Sequence, residues 1–302
     1  MVDTKRLIAR SRMQDRLFVI LGVACTLIGL LTLGALLAQL AYDGLSRIDW
    51  QFLTSYPSRF AARAGILPAW VGTLAVMLVT ALAAVPLGIA AAVYLEEYAR
   101  KNWVTEIIEI NIANLAGVPS IIYGLMALGL FVYQLQFGQS ILTAGLTLGF
   151  LILPIVIVAT REALRAIPGH IREASYAQGA TRWQTVRFHL LPYSLGGVST
   201  GVIIALSRAI GETAPLITIG ALTFIAFLPQ SPITTQPPFV SGEWLTSPFT
   251  VLPMQMFNWI SRPQPEFHVN AAATGLVLIA VTLTLNAVAI VFRARVRRRI
   301  KW

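Results

Sequence analysis

Charge is scarce in this sequence. Only 12% of its 302 residues are charged while 56% are hydrophobic, and a soluble domain carries about 25% charged residues. That shortage excludes an ordinary soluble globular chain and points to lipid. Acidic residues are the rarer sign, 13 against 23 basic, for a net charge of +10. The basic residues do not form a continuous stripe on a soluble domain. They cluster beside apolar runs, which argues against a nucleic-acid partner and for the charge bias of membrane loops. Cysteine is almost absent: Cys25 alone excludes an internal disulfide. With only His170, His189 and His268 to accompany it, a metal site has no ligand set. Cys25, inside an apolar run, reads as a packed apolar side chain. The chain also lacks a G-x-x-x-x-G-K-[ST] loop, an H-E-x-x-H pair and a G-x-S-x-G elbow. It is therefore read as a non-catalytic subunit that binds neither ATP nor a cofactor.

Long apolar runs are what the chain has instead. Six can be marked: Leu17–Ala41, Ala69–Leu95, Ile107–Tyr133, Ile141–Thr160, Tyr193–Leu228 and Val269–Phe292. Each supplies the roughly 20 residues needed to cross about 30 Å of hydrocarbon as a helix. Helices are required because lipid offers no partner to backbone N–H and C=O groups. The expected fold is all-α, a polytopic integral membrane protein with six transmembrane helices. The first run follows Lys5, Arg6, Arg10, Arg12 and Arg16 but is too long for a signal-peptide core, so it is read as retained. The chain divides into three expected regions. Residues 1–68 hold a basic N-terminus, the first helix and an outer loop. Residues 69–292 form a five-helix core with an inner loop at 161–192 and an outer loop at 229–268, and residues 293–302 form a basic tail.

Orientation follows from the same basic residues. With the N-terminus inside, Lys5 to Arg16, Arg100, Lys101, Arg161, Arg165, Arg172, Arg182, Arg187 and the basic residues from Arg293 to Lys301 all face the cytoplasm. That is 18 of 23. Arg47, Arg59, Arg63 and Arg262 fall outside. Both ends, and the segment between the fourth and fifth runs, are expected in the cytoplasm. The outer loop 229–268 is rich in proline, with Trp244 and Trp259 expected near the surface. It reads either as a cap over the outer mouth or as a landing surface for a partner. Inside the runs, Gly117-Val-Pro-Ser120 is the clearest candidate for a helix break, and Gly197-Val-Ser-Thr-Gly201 would let another helix approach closely.

The most informative stretch is a polar island from Glu173 to Pro192 between apolar runs. Pro168 and Gly169 open a helical stretch, and Gly179 stands where a helix end wants a left-handed residue. Thr181 and Gln184 have capping-box spacing, so a second helix should begin at once, and Pro192 should bound it. Two short helices with a tight corner, exposed between spans, are a docking element. The bland reading is a structural loop.

Glu173-Ala174-Ser175, Gly179 and Leu191-Pro192 resemble the EAA loop of bacterial ABC-importer permeases. Gly179-Ala-Thr-Arg-Trp-Gln-Thr and Ser207-Arg-Ala-Ile-Gly-Glu-Thr-Ala-Pro-Leu216 look like the phosphate importers' PstA-type permeases, as does the whole layout. Ser175 departs from the usual alanine, and His189 from an aliphatic position. The resemblance implies a type I, MetI-like permease fold and uptake of inorganic phosphate. It also implies three partners: a second, PstC-like permease, a PstB-like ATPase dimer, and a periplasmic PstS-like phosphate-binding protein. Under it, Arg172 and Glu173 would make polar contacts at the ATPase rim, small Ala174 and Ser175 would allow close approach, and Gly179 would hold the corner. Another oxyanion or small solute remains open as substrate.

Arg208 and Glu212 read as the only ionisable residues well inside a span, where such residues are costly and functional by default. At i and i+4 they would share a helix face and a cavity. Arginine offers a fork of donors to phosphate oxygens, and a carboxylate can accept the proton of a P–OH group that sulfate lacks. A self-neutralising structural pair, or a proton-coupled secondary transporter using the same two residues, are the alternatives.

Overall fold

The computed structural model describes residues 4–222, 224–232, 239 and 241–299. Residues 233–238 and 240 of the expected outer loop, and 1–3 and 300–302 of the expected terminal regions, lie outside the described residues. Every long element is helical, and no strand occurs among the described residues. Five helical runs are long and apolar enough to cross a membrane: Ser11–Arg47, Leu67–Tyr98, Ile141–Arg165, Arg182–Gly211 and Pro265–Arg295. A bent pair, Trp103–Leu115 with Ser120–Gln134, makes a sixth if counted as one span.

Helix α1 (Thr4–Gly44) is followed by the short α2 (Trp50–Thr54) and by α3 (Leu67–Val93), which ends in a wide turn at Tyr94–Tyr98. The bent pair is α4 (Trp103–Leu115) and α5 (Ser120–Ala127) with its wide-turn extension Leu128–Gln134. Helix α6 (Ile141–Arg165) leads to α7 (Gly169–Ala177), α8 (Arg182–Thr185), a wide turn at Val186–Leu190 and α9 (Leu191–Gly211). The chain closes with α10 (Ala214–Thr218), α11 (Leu252–Ile260) and α12 (Pro265–Arg299).

Proline decides where these helices bend. Pro86 and Pro154 sit inside α3 and α6 without ending them. At Gly117-Val-Pro119 the chain turns by 105° between α4 and α5, so the run Ile107–Tyr133 is a broken helix, with the break where the small polar stretch suggested. Pro192 is not a boundary. The helical run continues from Arg182 to Gly211, and the wide turn at Val186–Leu190 accommodates the missing N–H and the ring. The expected second short helix is thus the start of a span.

Several expectations shift. The run Tyr193–Leu228 is not one helix: α9 stops at Gly211, and α10 is a separate short turn begun by Thr213-Ala-Pro215. Helix α6 reaches Arg165, and α12 continues through Arg293 to Arg299. Trp259 is fully buried, not near the surface. It packs with Phe52 and Phe267 where α11 inserts beside α12. Cys25 is exposed on α1, whose apolar flank is uncovered in the chain, so lipid or another protein takes the place of a core.

The centre of the molecule is the pairing of α3 with α6 and of α6 with α9. The second pairing rests on the Gly-x-x-x-Gly of α9. Gly197 faces Ala163 and Gly201 faces Ala159, so close that a β-carbon on either glycine would overlap the alanine methyl. Small residues four apart on both helices bring the backbones together, which is how helices associate where no hydrophobic effect drives them. Gly201→Leu should separate α6 from α9 and cost about 1–3 kcal/mol by overpacking. The expected result is a lower unfolding temperature of the detergent-solubilised protein, and Gly196→Leu, with open space around it, is the control.

Candidate functional site

At one end of α3 two adjacent carboxylates, Glu96 and Glu97, lie in the wide turn that closes the helix. They take different partners. Glu97 accepts two hydrogen bonds from Arg172 of α7, from Nη2 at 2.7 Å and Nε at 3.1 Å. The remaining N–H groups of Arg172 donate to the carbonyls of Leu164 and Ile167 at the end of α6, each at 3.0 Å. The Leu164 carbonyl belongs to the last turn of α6 and the Ile167 carbonyl to the turn just after it, where a guanidinium suits both the oxygen lone pairs and the negative end of the helix dipole. One side chain therefore ties α7 to α3 and α6 together. Arg172 turns inward, with 20% of its side chain exposed and 6% of Glu97's. It does not stand at the outer rim of the corner as expected from sequence.

Glu96 meets Arg165 at 2.9 Å and Arg161 at 3.5 Å. Arg161 also reaches Glu109 of α4 at 2.6 Å. The Arg161 side chain is only 7% exposed and belongs to α6, not to an inner loop. So Arg208 and Glu212 are not alone within the membrane-length segments, because Arg161 and Glu109 lie in them too. Helix α4 buries no residue of its own in this chain. Its ion pairs to α6 and the hydrogen bond from the Tyr123 hydroxyl to the Leu115 carbonyl (2.8 Å) hold it in place.

The corner between α7 and α8 is built locally. Gly179 has φ +81°, in the left-handed region, and nothing lies within 4 Å of where its β-carbon would be. Conformation, not space, requires glycine there. Thr181 and Gln184 form the reciprocal capping box that their spacing suggested. Ser175 is buried, and its hydroxyl lies 2.9 Å from that of Thr185, which joins α7 to α8 across the corner. Glu173 and Ala174 face outward and remain available to another protein. His189, in the wide turn that follows α8, is half-buried.

Arg208 lies in the last turn of α9 and Glu212 caps it. The backbone at Glu212 is extended (φ −78°, ψ 123°), so the two do not share a helix face. The pair forms all the same, Arg208 Nε donating to Glu212 at 3.3 Å. Arg208 keeps 42% of its side chain exposed and Glu212 19%. Among the described residues Nε is the sole Arg208 group in a hydrogen bond, which leaves both Nη groups as free donors. Helix α10, just past Glu212, packs on α5, with Gly124 against Pro215 and Thr218. The α9–α10 break therefore lies against the first turns of α5, which follow the α4–α5 break. No cluster able to hold a metal ion occurs among the described residues.

Sequence reasoning found Gly179, Thr181 and Gln184 and missed Glu96, Glu97, Arg161 and Glu109. The available signal was Glu96-Glu97 at the end of one apolar run and Arg161, Arg165 and Arg172 within twelve residues at the end of another.

Comparisons with known proteins agree with this geometry. A family model described as "Binding-protein-dependent transport system inner membrane component" matches residues 84–302. The chain is 31% identical over 271 residues, 88% of this chain and 90% of the relative, to the "Probable ABC transporter permease protein YqgI" of Bacillus subtilis (strain 168). It is 32% identical over 290 residues, 95% of this chain and 92% of the relative, to the "Phosphate transport system permease protein PstA" of Yersinia pestis. It is 32% identical over 246 residues, 81% of this chain and 74% of the relative, to the "Phosphate transport system permease protein PstA 1" of Mycobacterium tuberculosis (strain ATCC 25618 / H37Rv). Among solved structures, the inward-facing MetNI methionine ABC transporter matches with a TM-score of 0.55 at 18% identity, covering 76% of this chain and 94% of that one. That likeness establishes the fold, a MetI-type permease fold.

Removing one member of a buried pair costs about 3 kcal/mol or more because the other charge is left stranded. Glu97→Gln should therefore loosen α7 from α3, and amide hydrogen exchange across residues 169–185 should quicken by about 100-fold. The reversed pair Glu97→Arg with Arg172→Glu should recover part of the protection. Unchanged exchange in Glu97→Gln would show that the strut carries no load.

Proposed function

The chain belongs to the binding-protein-dependent transport system inner membrane component family, and we propose that it is a transmembrane permease subunit of an ATP-driven importer of inorganic phosphate. The observation that carries the reading is the α7–α8 corner. It is exposed on its outer face at Glu173 and Ala174, and it is tied rigidly on its inner face to α3 and α6 through Arg172. A short helix so anchored can transmit the closure of an ATPase as a rigid-body movement of the spans. The relatives named for phosphate transport supply the substrate.

In this reading the corner faces the cytoplasm and both described ends of the chain lie inside, as the arginine bias requires. The partners are an ATPase dimer of the PstB type, a second permease of the PstC type and a periplasmic phosphate-binding protein of the PstS type. The membrane is the bacterial inner membrane. Hydrolysis of ATP belongs to the ATPase, and this chain contributes the path and the coupling. Glu173, Ala174, Ser175 and Gly179 form the coupling element: the first two meet the ATPase, while Ser175 and Gly179 hold the corner's shape. Arg172 acts behind them as the strut.

Arg208 and Glu212 line the phosphate path. The free Nη groups of Arg208 offer two donors to phosphate oxygens, and Glu212 accepts the proton of a P–OH. A fully ionised sulfate would leave that carboxylate facing an oxygen without a proton, which disfavours it. Uptake of labelled phosphate into vesicles holding both permeases and the ATPase, with binding protein supplied outside, tests the whole reading. A proton-coupled carrier would instead transport without ATPase or binding protein and would purify alone.

Two variants separate the roles. Gly179→Val adds about 1 kcal/mol or more of strain at a positive φ. It should reach the membrane yet lose substrate-stimulated ATP hydrolysis, whereas Gly179→Asn, which tolerates that conformation, should retain it. Arg208→Gln should keep assembly and ATPase binding but abolish phosphate uptake. Uptake that survives while assembly fails would make the Arg208–Glu212 pair structural.

A further inference from the structure

Three arginines at the end of the molecule opposite the coupling corner have no carboxylate partner among the described residues: Arg59, Arg63 and Arg262. Arg47, close by in sequence, differs. It pairs with Asp49 at 3.3 Å, donates to the carbonyls of Ala62 and Ala64 and to Asn270, and so serves the fold. Helix α3 starts beside this region and ends at Glu96–Glu97, and its 27 residues separate the two ends by roughly 40 Å. If the corner meets a cytoplasmic ATPase, these arginines face the outside.

Arg59 and Arg262 line one open cleft of about 470 Å³ with Pro57, Ser58, Phe60 and Phe224. Each guanidinium lies over an aromatic ring, Arg59 5.6 Å from the centre of Phe60 and Arg262 4.3 Å from that of Phe267. Stacking occupies a face of the guanidinium and leaves its edge of N–H donors to point elsewhere. Arg262 spends one donor on Asn258 at 3.2 Å. Phe60 and Phe224 are 60% and 51% exposed. Arginine and phenylalanine gathered in a concave site, with unspent donors, is the composition of a protein–protein hot spot. Its charge selects an acidic partner.

We propose that this cleft receives a carboxylate-bearing surface segment of the solute-binding protein, with Arg59 and Arg262 pairing to its acidic side chains and Phe60 and Phe224 packing against the residues beside them. This rests on the importer reading and adds to it the place and chemistry of docking. Charges at an exposed rim act chiefly on the rate of encounter and on its dependence on salt.

The test measures association of fluorescently labelled, phosphate-loaded binding protein from the same organism with the assembled complex in lipid nanodiscs, across a range of salt. For Arg59→Glu, and for Arg59→Glu with Arg262→Glu, the association rate constant should fall by about tenfold or more and its salt dependence should flatten. Arg59→Lys with Arg262→Lys should retain most of both. Basal ATP hydrolysis should stay unchanged, because neither residue touches the coupling corner. Arg59 sits in an exposed loop, so its single variant reports docking even if Arg262→Glu disturbs Phe267. Equal rates and equal salt dependence in wild type and the double variant would overturn the assignment while leaving the importer reading intact. No docking on the wild-type complex would overturn both. Loss of bound anionic phospholipid with docking unaffected would reassign the cleft to a lipid headgroup and overturn the proposal.

Discussion

Two neighbouring carboxylates at the end of α3 meet three arginines, and the arrangement of the half of the molecule that carries the α7–α8 corner depends on that meeting. Glu96 gathers Arg161 and Arg165 of α6, while Glu97 gathers Arg172 of α7. Charges in this setting are costly to desolvate, and such networks persist only where geometry satisfies most of their donors and acceptors. Here Arg172 does so by spending its remaining N–H groups on the carbonyls at the end of α6. A single guanidinium closes a helix and fixes the next one. Arg161, sharing its charge between Glu96 and Glu109, extends the same network to α4, which has no buried side chain to hold it.

The opposite half is held by packing instead. Trp259 of α11 fills a space between Phe52 and Phe267, Thr73 of α3 accepts the Leu252 N–H at 2.9 Å, and Arg47 bonds to Asn270 of α12. Between the two halves lie the helix breaks at Gly117–Pro119 and at Glu212–Thr213. Broken backbone at such a depth is tolerated where it is enclosed in protein or lines a cavity. Arg208 stands just before the second of these breaks, paired through Nε with Glu212 and with 42% of its side chain exposed.

What the sequence made legible was whatever is local. Gly179, the Thr181–Gln184 capping box and the break at Gly117–Pro119 are each decided within a few residues, by φ, by a missing N–H or by a side chain reaching its own backbone. Apolar runs were legible for the same reason, since a span needs only its own length and composition. The Glu97–Arg172 strut joins residues 75 apart, and nothing in the order of charges says which arginine a carboxylate will choose. The resemblance puts Arg172 at the ATPase rim, whereas its guanidinium turns inward to Glu97 and to the end of α6. Trp259, expected near the surface, is buried because α11 folds back against α12 and sets it between Phe52 and Phe267. The end of α9 was misplaced because hydropathy does not register that Gly211 and Thr213-Ala-Pro215 interrupt the helix.

Helix α1 touches the rest of the chain chiefly through α12. Gly44 lies against the backbone of Ala272 and Ala273, and the Arg47–Asn270 bond closes a loop of 223 residues. During synthesis α1 enters the membrane long before α12 has been made. It must therefore wait in lipid, stable as an isolated helix because its backbone bonds are all internal, until α12 arrives beside it. Pairings so distant in sequence form slowly. The order of insertion thus makes α12 the clasp of the subunit, and a chain interrupted before it would leave α1 adrift while the α3–α6 pair was already formed.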